Sequence, residues 1–380
     1  MMIRVSTPLF SIMAIALCGL MSSAQAQSSS AFDKWDADKN GFVSKSEFPS
    51  NFSPATFGRV DTNMDGKLSR EEDAAYRAAR GARKNREQTA SVSAETSSIS
   101  DGRDPNVPKG TRVFKDIVYE RVGERALLLD LYLPAGTNEP VPLVIWVHGG
   151  GWRNGNKSGI KNASGALKRG YALASVSYRL SGEAIFPAAI EDCKAAVSFL
   201  RLNAKKNRID PDRFGVWGSS AGAHLVALLG VTNDVDDFNT HPVTKKASSK
   251  VQAVCNWFGP TDFLRMNDVK GRMDHDAADS PESLFIGAPI QDHPEKAQKS
   301  NPINYVSRSD PPMLLMHGDK DGLVIFNQSE LLYAALQKAG VESQLYKVVN
   351  GDHGFKGSYE SSDALIQRAV DFFDRELKGN

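Results

Sequence analysis

Arg213-Phe214-Gly215-Val216-Trp217-Gly218-Ser219-Ser220-Ala221-Gly222-Ala223-His224 is the stretch on which the fold turns. It runs from an apolar strand pattern through a Gly-x-Ser-x-Gly match into a helical pattern that continues to Leu229. Three fixed positions recur by chance, so the match gains weight only from its strand–turn–helix setting. There, bare glycines at 218 and 222 let backbone segments come together and Ser220 projects from a sheet edge. A serine so placed is a candidate nucleophile, and it needs a neighbouring base because the hydroxyl is weak at its own pKa.

Working outward, apolar β-rich runs fall at 113–119, 127–133, 141–147, 171–178, 214–217, 251–258, 313–317 and 344–349. Helical periodicity fills the gaps, most clearly at 187–204, 221–229, 328–339 and 363–378. This alternation is that of an α/β fold: a mostly parallel eight-stranded sheet with helices on both faces. The early strands follow one another without room for a helix and form its antiparallel start.

Among seven histidines, His353 is the best placed base. It sits just past the last strand in Asn350-Gly351-Asp352-His353-Gly354-Phe355, where a glycine-flanked loop can reach back over the sheet edge. His317 ends a strand and reads as structural, and His148, His224, His241, His275 and His293 read as structural or exposed. The orienting acid belongs after the seventh strand, in Gly318-Asp319-Lys320-Asp321-Gly322. Spacing leaves both Asp319 and Asp321 open, with Asp352 a third option. Oxyanion donors are expected from Gly150 and Gly151 of His148-Gly149-Gly150-Gly151, joined by the N–H of Ala221.

His148-Gly149-Gly150-Gly151-Trp152-Arg153-Asn154-Gly155, Tyr178-Arg179-Leu180, Phe186-Pro187-Ala188-Ala189, Asp210-Pro211-Asp212-Arg213 and Gly218 to His224 together resemble the bacterial carbohydrate-esterase group of α/β-hydrolases. That group includes acetyl-xylan and feruloyl esterases and is related to hormone-sensitive-lipase-like esterases. The resemblance runs from about residue 112 to the end of the chain. Its motif His-Gly-x-x-Asp-x-x-Val falls on His317, Gly318, Asp321 and Val324, which favours Asp321 as the acid. It implies an α/β-hydrolase fold and serine carboxylic-ester hydrolysis through an acyl-enzyme, with no cofactor in catalysis. Acetyl or feruloyl esters of polysaccharides, or small esters, are the implied substrates. Two departures, Ala223 for a frequent Gly and Ile325 for a frequent Pro, suggest an altered acyl pocket. A peptidase or formamidase on the same fold and a catalytically silent calcium-dependent binding module are the alternatives. Residues 259–302, between the sixth and seventh strands, are the expected lid.

Ahead of this domain lies an internal repeat. Asp36, Asp38, Asn40, Ser44 and Glu47 recur 25 residues later as Asp61, Asn63, Asp65, Ser69 and Glu72. These are positions 1, 3, 5, 9 and 12 of an EF-hand loop, with Gly41 and Gly66 at the sharp turn and the carbonyls of Phe42 and Lys67 at position 7. Val43 and Leu68 are placed to pair the two loops. A small all-α calcium-binding EF-hand pair is expected over 27–80, a flexible linker over 81–110 and the catalytic domain over 111–380.

Residues 1–26 read as a secretory signal, with Arg4, an apolar run and Ala24-Gln25-Ala26, so a secreted or periplasmic location is expected, with no membrane span after cleavage. With 41% hydrophobic and 24% charged residues and a net charge of +1, the composition is that of a soluble globular protein and offers nothing to nucleic acid. Of three cysteines, Cys193 and Cys255 remain after the signal. They are read as two buried thiols rather than a disulfide.

Overall fold

The computed structural model describes residues 31–48, 57, 60–61, 63, 65–75, 97–136 and 139–379. The expected signal at 1–26 and residues 81–96 of the expected linker lie outside the described residues. The chain divides into two compact units, Met1–Gln88 and Thr89–Asn380.

In the first unit, helix α1 (Ala31–Trp35) precedes two short strands, β1 (Val43–Ser44) and β2 (Lys67–Leu68). They pair antiparallel with Val43 opposite Leu68, as the loop spacing requires. Phe32, Val43, Phe57, Val60 and Leu68 form a small buried core.

The second unit is built on one sheet. Its strands are β3 (Ser97–Ile99), β4 (Arg112–Val122), β5 (Arg125–Leu133), β6 (Val141–Val147), β7 (Ala172–Val176), β8 (Ile209–Ser219), β9 (Ala253–Trp257), β10 (Met313–Gly318) and β11 (Ser343–Val348), in the order β11-β10-β9-β8-β6-β7-β5-β4-β3. Strands β6 to β11 are parallel neighbours, whereas β5 joins β7, β4 joins β5 and β3 joins β4 antiparallel. All eight expected strands are present, and β3 is a ninth.

That ninth strand corrects the linker. Ser97 and Ile99 pair with Phe114 and Arg112, and Val107 is buried among Val113, Tyr132 and their neighbours. Residues 97–110 therefore belong to the second unit, because a backbone ladder and an apolar anchor tie them to the sheet.

Strand β6 shows why the sheet is covered twice. Leu143, Ile145 and Val147 join one core, and Val144 and Trp146 join the other, as side chains alternate along a strand. On the first face pack α3 (Ala188–Leu202) and α5 (Ala221–Val231), through Ile190, Val197, Leu225 and Val226. Helix α8 (Asn327–Ala339) adds Leu332 and Leu336 there. On the second pack α2 (Ser164–Lys168) and α9 (Ser362–Phe373), through Leu167, Leu365 and Val370. Short helices α4 (Ala204–Asn207), α6 (Pro281–Ile286) and α7 (Pro294–Ser300) complete the set. Cys193 and Cys255 are free and buried, and burial pushes both thiols well above their ordinary range. No helix of the described residues is long and apolar enough to cross a membrane.

Candidate active site

Parallel strands bring their carboxyl ends, and the loops that follow them, to one edge. Val147 of β6 pairs with Gly218 of β8, which sets the glycine loop beside Ser220. Gly318 of β10 pairs with Val348 of β11, which sets the Asp321 turn beside the His353 turn.

Ser220 sits at φ +54° and ψ −124°, a conformation L-residues avoid, costing about 1–3 kcal/mol. Surrounding backbone holds it there. Its N–H donates to Trp257 O at 2.9 Å and its carbonyl accepts the N–H of His224 at 3.1 Å. The flanking glycines are sterically required: a Cβ on Gly218 would lie 2.3 Å from Gly222 O, and one on Gly222 would lie 2.2 Å from Val147 O. Ala223 does not line the site. A Cβ on Gly259 would come within 2.7 Å of the Ala223 methyl, so Gly259 leaves the room that Ala223 uses.

His353 Nε2 lies 3.1 Å from Ser220 Oγ, and His353 Nδ1 lies 2.8 Å from Asp321 Oδ2. Asp321 Oδ1 accepts the N–H groups of Leu323 at 2.9 Å and Val324 at 3.0 Å, which points Oδ2 at the imidazole. Burial raises the Asp321 carboxyl pKa, but the hydrogen bonds and charges of His317 and His353 outweigh it and hold the group far below the usual carboxylate range. The competing acids have other partners. Asp319 accepts the N–H of Asn350 at 2.8 Å. Asp352 is engaged by Arg272, with Nη2 to Oδ1 at 2.9 Å, and that bond above all, with backbone N–H groups, lowers its carboxyl to about 2.

The remaining histidines serve packing and positioning. His317 Nε2 donates to Val324 O at 2.8 Å and lies 3.5 Å from Asp321 Oδ2, so it also steadies the acid turn. Burial lowers His148 and His224 to about 4; the first stacks on Tyr178 and the second on Phe263. His241 is buried against Asp192, and His293 is half-buried with Nδ1 3.4 Å from Glu295 Oε1.

A cleft of about 70 Å³ opens beside the serine. Gly151, Trp152, Ser220 and Ala221 line it with Leu323 and Val324, and the 259–302 segment closes it with Pro260, Met273, His275, Pro281 and Glu282. Gly150 sits at φ +114°, its carbonyl accepting the N–H groups of Arg153 and Asn154 at 3.1 Å each. Trp152, His275 and Glu282 are site residues the sequence reading missed. The Ser280-Pro281-Glu282 run signals a helix start, and nothing in the spacing pairs Glu282 with His275.

In the first unit, the carboxylates of the first loop converge, whereas among the described residues those of the second, Asp61, Asp65 and Glu72, do not form such a cluster. Asp36 accepts the N–H groups of Asn40 and Gly41, and Asp61 those of Asp65 and Gly66, each at 3.0–3.1 Å. Glu47 reaches back to the N–H of Ala37 at 3.1 Å, and Glu72 to that of Asn63 at 3.2 Å. Oxygens of Asp36, Asp38 and Glu47 lie within 4.8 Å of one another. Phe42 and Lys67, whose carbonyls complete the two ligand sets, donate their N–H groups to Asn40 Oδ1 and Asp65 Oδ1 at 2.9 Å. Ser44 and Ser69 hydrogen-bond Glu47 and Glu72. The donor set, all oxygen and half carboxylate, fits a hard divalent cation.

A strained serine joined through histidine to a buried aspartate, at the carboxyl edge of such a sheet, defines a protein of the α/β-hydrolase fold with a serine-hydrolase triad. Residues 129–336 match the BD-FAE family model, and the chain belongs to that family; residues 29–52 and 55–72 match the EF hand model. Esterase LipQ of Mycobacterium tuberculosis is 30% identical over 280 residues, 71% of this chain and 64% of the relative. Esterase LipC of the same organism is 29% identical over 221 residues, 57% of this chain and 54% of the relative. The chain thus spans between about half and two thirds of these relatives' lengths. A solved structure described as a truncated form of a carbohydrate esterase from gut microbiota superposes with a TM-score of 0.64 at 31% identity, covering 70% of this chain and 96% of that one.

Proposed function

We propose that this chain is an exported serine carboxylic-ester hydrolase that works through an acyl-enzyme, on acetyl, feruloyl or other acyl esters of polysaccharides or on small esters. The observation that carries the reading is the continuous relay from Ser220 Oγ to His353 Nε2 at 3.1 Å and from His353 Nδ1 to Asp321 Oδ2 at 2.8 Å. The names of the two relatives and of the structural neighbour given above, each an esterase, agree with it.

In this reading His353 removes the Ser220 proton as Oγ attacks the ester carbonyl, and Asp321 holds the ring in the tautomer that makes Nε2 the base. The developing oxyanion is met by the N–H groups of Gly150, Gly151 and Ala221, and losing one such donor typically costs about 10²–10³-fold in rate. His353 then protonates the departing alcohol. Water, deprotonated by the same imidazole, attacks the acyl-enzyme and releases the acid. Ser220→Ala should abolish hydrolysis of a short-chain chromogenic ester in folded protein; wild-type turnover by that variant removes the reading. Parallel ester, anilide and formamide substrates separate an esterase from a peptidase or formamidase, and acetylated and feruloylated saccharides separate the acyl groups.

The EF-hand loops are assigned calcium, in a stabilising or docking role. Extracellular modules of this kind bind at about 10⁻⁴–10⁻³ M. Titration of the full chain that shows no calcium uptake up to several times that range would remove the assignment. Export rests on the signal pattern at 1–26; N-terminal sequencing of material from the culture medium or periplasm tests it.

A further inference from the structure

The cleft beside Ser220 carries a buried pair that the triad does not use. The side chains of His275 and Glu282 are 3% and 4% exposed, and both border the cleft with Ser220, Gly151 and Ala221. Two contacts fix the imidazole: Nδ1 lies 2.9 Å from Glu282 Oε2, and Nε2 lies 2.8 Å from the carbonyl oxygen of Leu323. A carbonyl only accepts, so Nε2 carries a proton, and Nδ1 faces the carboxylate. Burial disfavours the imidazolium, but the hydrogen bond and charge of Glu282 outweigh it, so His275 titrates above its ordinary range. A buried ion pair is weak evidence for stability, since apolar residues of like volume often do as well. Its place in a substrate cleft gives it another use.

Only one carboxylate oxygen is engaged. Among the described residues Glu282 Oε1 makes no hydrogen bond, and Glu282 is one of the residues that line the cleft. The free oxygen of this carboxyl group, whose other oxygen is held by His275, is an acceptor, so the group that completes it on binding is a donor. The walls of the cleft tell which half of the ester enters. The leaving alcohol takes its proton from His353, whereas this cleft is walled by Gly151 and Ala221 and not by His353. It therefore lies on the acyl side. At about 70 Å³ it holds a few heavy atoms, well below the several hundred Å³ of a site for a drug-sized ligand.

Resting on the ester-hydrolase reading above, we infer that Glu282, held by His275, is an acyl-selecting residue that favours short acyl groups bearing a hydroxyl donor over apolar acyl groups of the same size. Hydroxyacetyl is the simplest such group. Longer apolar chains would have to lie against the ion pair and are turned away.

Ethyl hydroxyacetate and ethyl propionate differ only by hydroxyl for methyl, which makes them the discriminating substrates. The kcat/KM ratio of the two, divided by the ratio of their alkaline hydrolysis rates, is measured for the full chain as wild type, Glu282→Leu and Glu282→Gln. The wild type should favour hydroxyacetate by about tenfold or more, the scale of a hydrogen bond to a charged group. The ratio should fall by about tenfold in Glu282→Leu and by less in Glu282→Gln, which keeps a polar acceptor. Ethyl hexanoate should gain on propionate in Glu282→Leu alone. Removing half of a buried pair threatens folding, so the wild-type ratio stands as a test by itself. A corrected wild-type ratio near one, or an unchanged ratio in variants that fold, overturns the inference. If Ser220→Ala turns over these esters like the wild type, it is the ester-hydrolase reading that fails. If turnover needs Ser220 but ignores Glu282, only the acyl selection is lost.

Discussion

Two groups of carboxylates in this chain are fixed by the same device and used in opposite ways. Asp36 is oriented by the N–H groups of the residues four and five positions on, and Asp321 by those two and three positions on. What faces the carboxylate then decides its chemistry. Around Asp36 stand Asp38 and Glu47, acceptors whose oxygens lie within 4.8 Å of one another and of Asp36 and whose negative charge favours a cation. Around Asp321 stand two imidazoles, His353 at 2.8 Å and His317 at 3.5 Å, which present ring nitrogens to it from within the protein. The cores differ in parallel: among the described residues five buried apolar side chains support the loops, whereas two large clusters on either face of the sheet hold the triad. The loops are thus expected to depend on an ion for their stability and the triad on its own packing.

Substitutions break this comparison in order of size. Ser220→Ala should lower kcat by about 10⁶-fold, the scale seen when a serine nucleophile is removed from such a triad, in steady-state assays with a chromogenic ester. Asp321→Asn should cost about 10⁴-fold, because the amide stabilises the wrong tautomer of His353, with the thermal midpoint still reporting a folded protein. Glu47→Gln should weaken calcium binding about tenfold or more in calorimetric titration, while kcat/KM stays within about twofold. A large loss of ester hydrolysis in that variant would show that the two regions are not independent.

The smallest expected effect concerns pH. Arg272 holds the Asp352 carboxyl at about 2 in the folded protein, below its unfolded value of about 3.9. A depressed folded value stabilises above the unfolded pKa, and that contribution is lost as pH falls through the folded one. Arg272→Gln should therefore move the acid-unfolding midpoint, followed by tryptophan fluorescence, upward toward pH 4. An unchanged midpoint would show that this exposed pair contributes nothing measurable.

Most of the fold was legible because buried parallel strands such as Val141–Val147 read as continuous apolar runs. Ser97–Ile99 was not, since all three residues are exposed and the strand exists only through its pairing with Arg112–Phe114. Ser220 and His353 could be read from local patterns of glycine and strand ends. The choice between Asp319 and Asp321 could not be made by spacing, because it depends on which backbone N–H groups each carboxylate meets once the turn is folded. His275 and Glu282 were illegible for a related reason: their pairing depends on how the 259–302 segment folds over the acid turn, where His275 also meets the Leu323 carbonyl.

The central claim is that Ser220 is activated by His353 and Asp321, and active-site labelling tests it most directly. The folded full chain, treated with a fluorophosphonate and analysed by intact mass and peptide mapping, should gain one adduct, on Ser220. That adduct should be absent in Ser220→Ala and form far more slowly in His353→Ala. Absence of labelling in folded wild type, or labelling at another residue with Ser220 left free, would contradict the account.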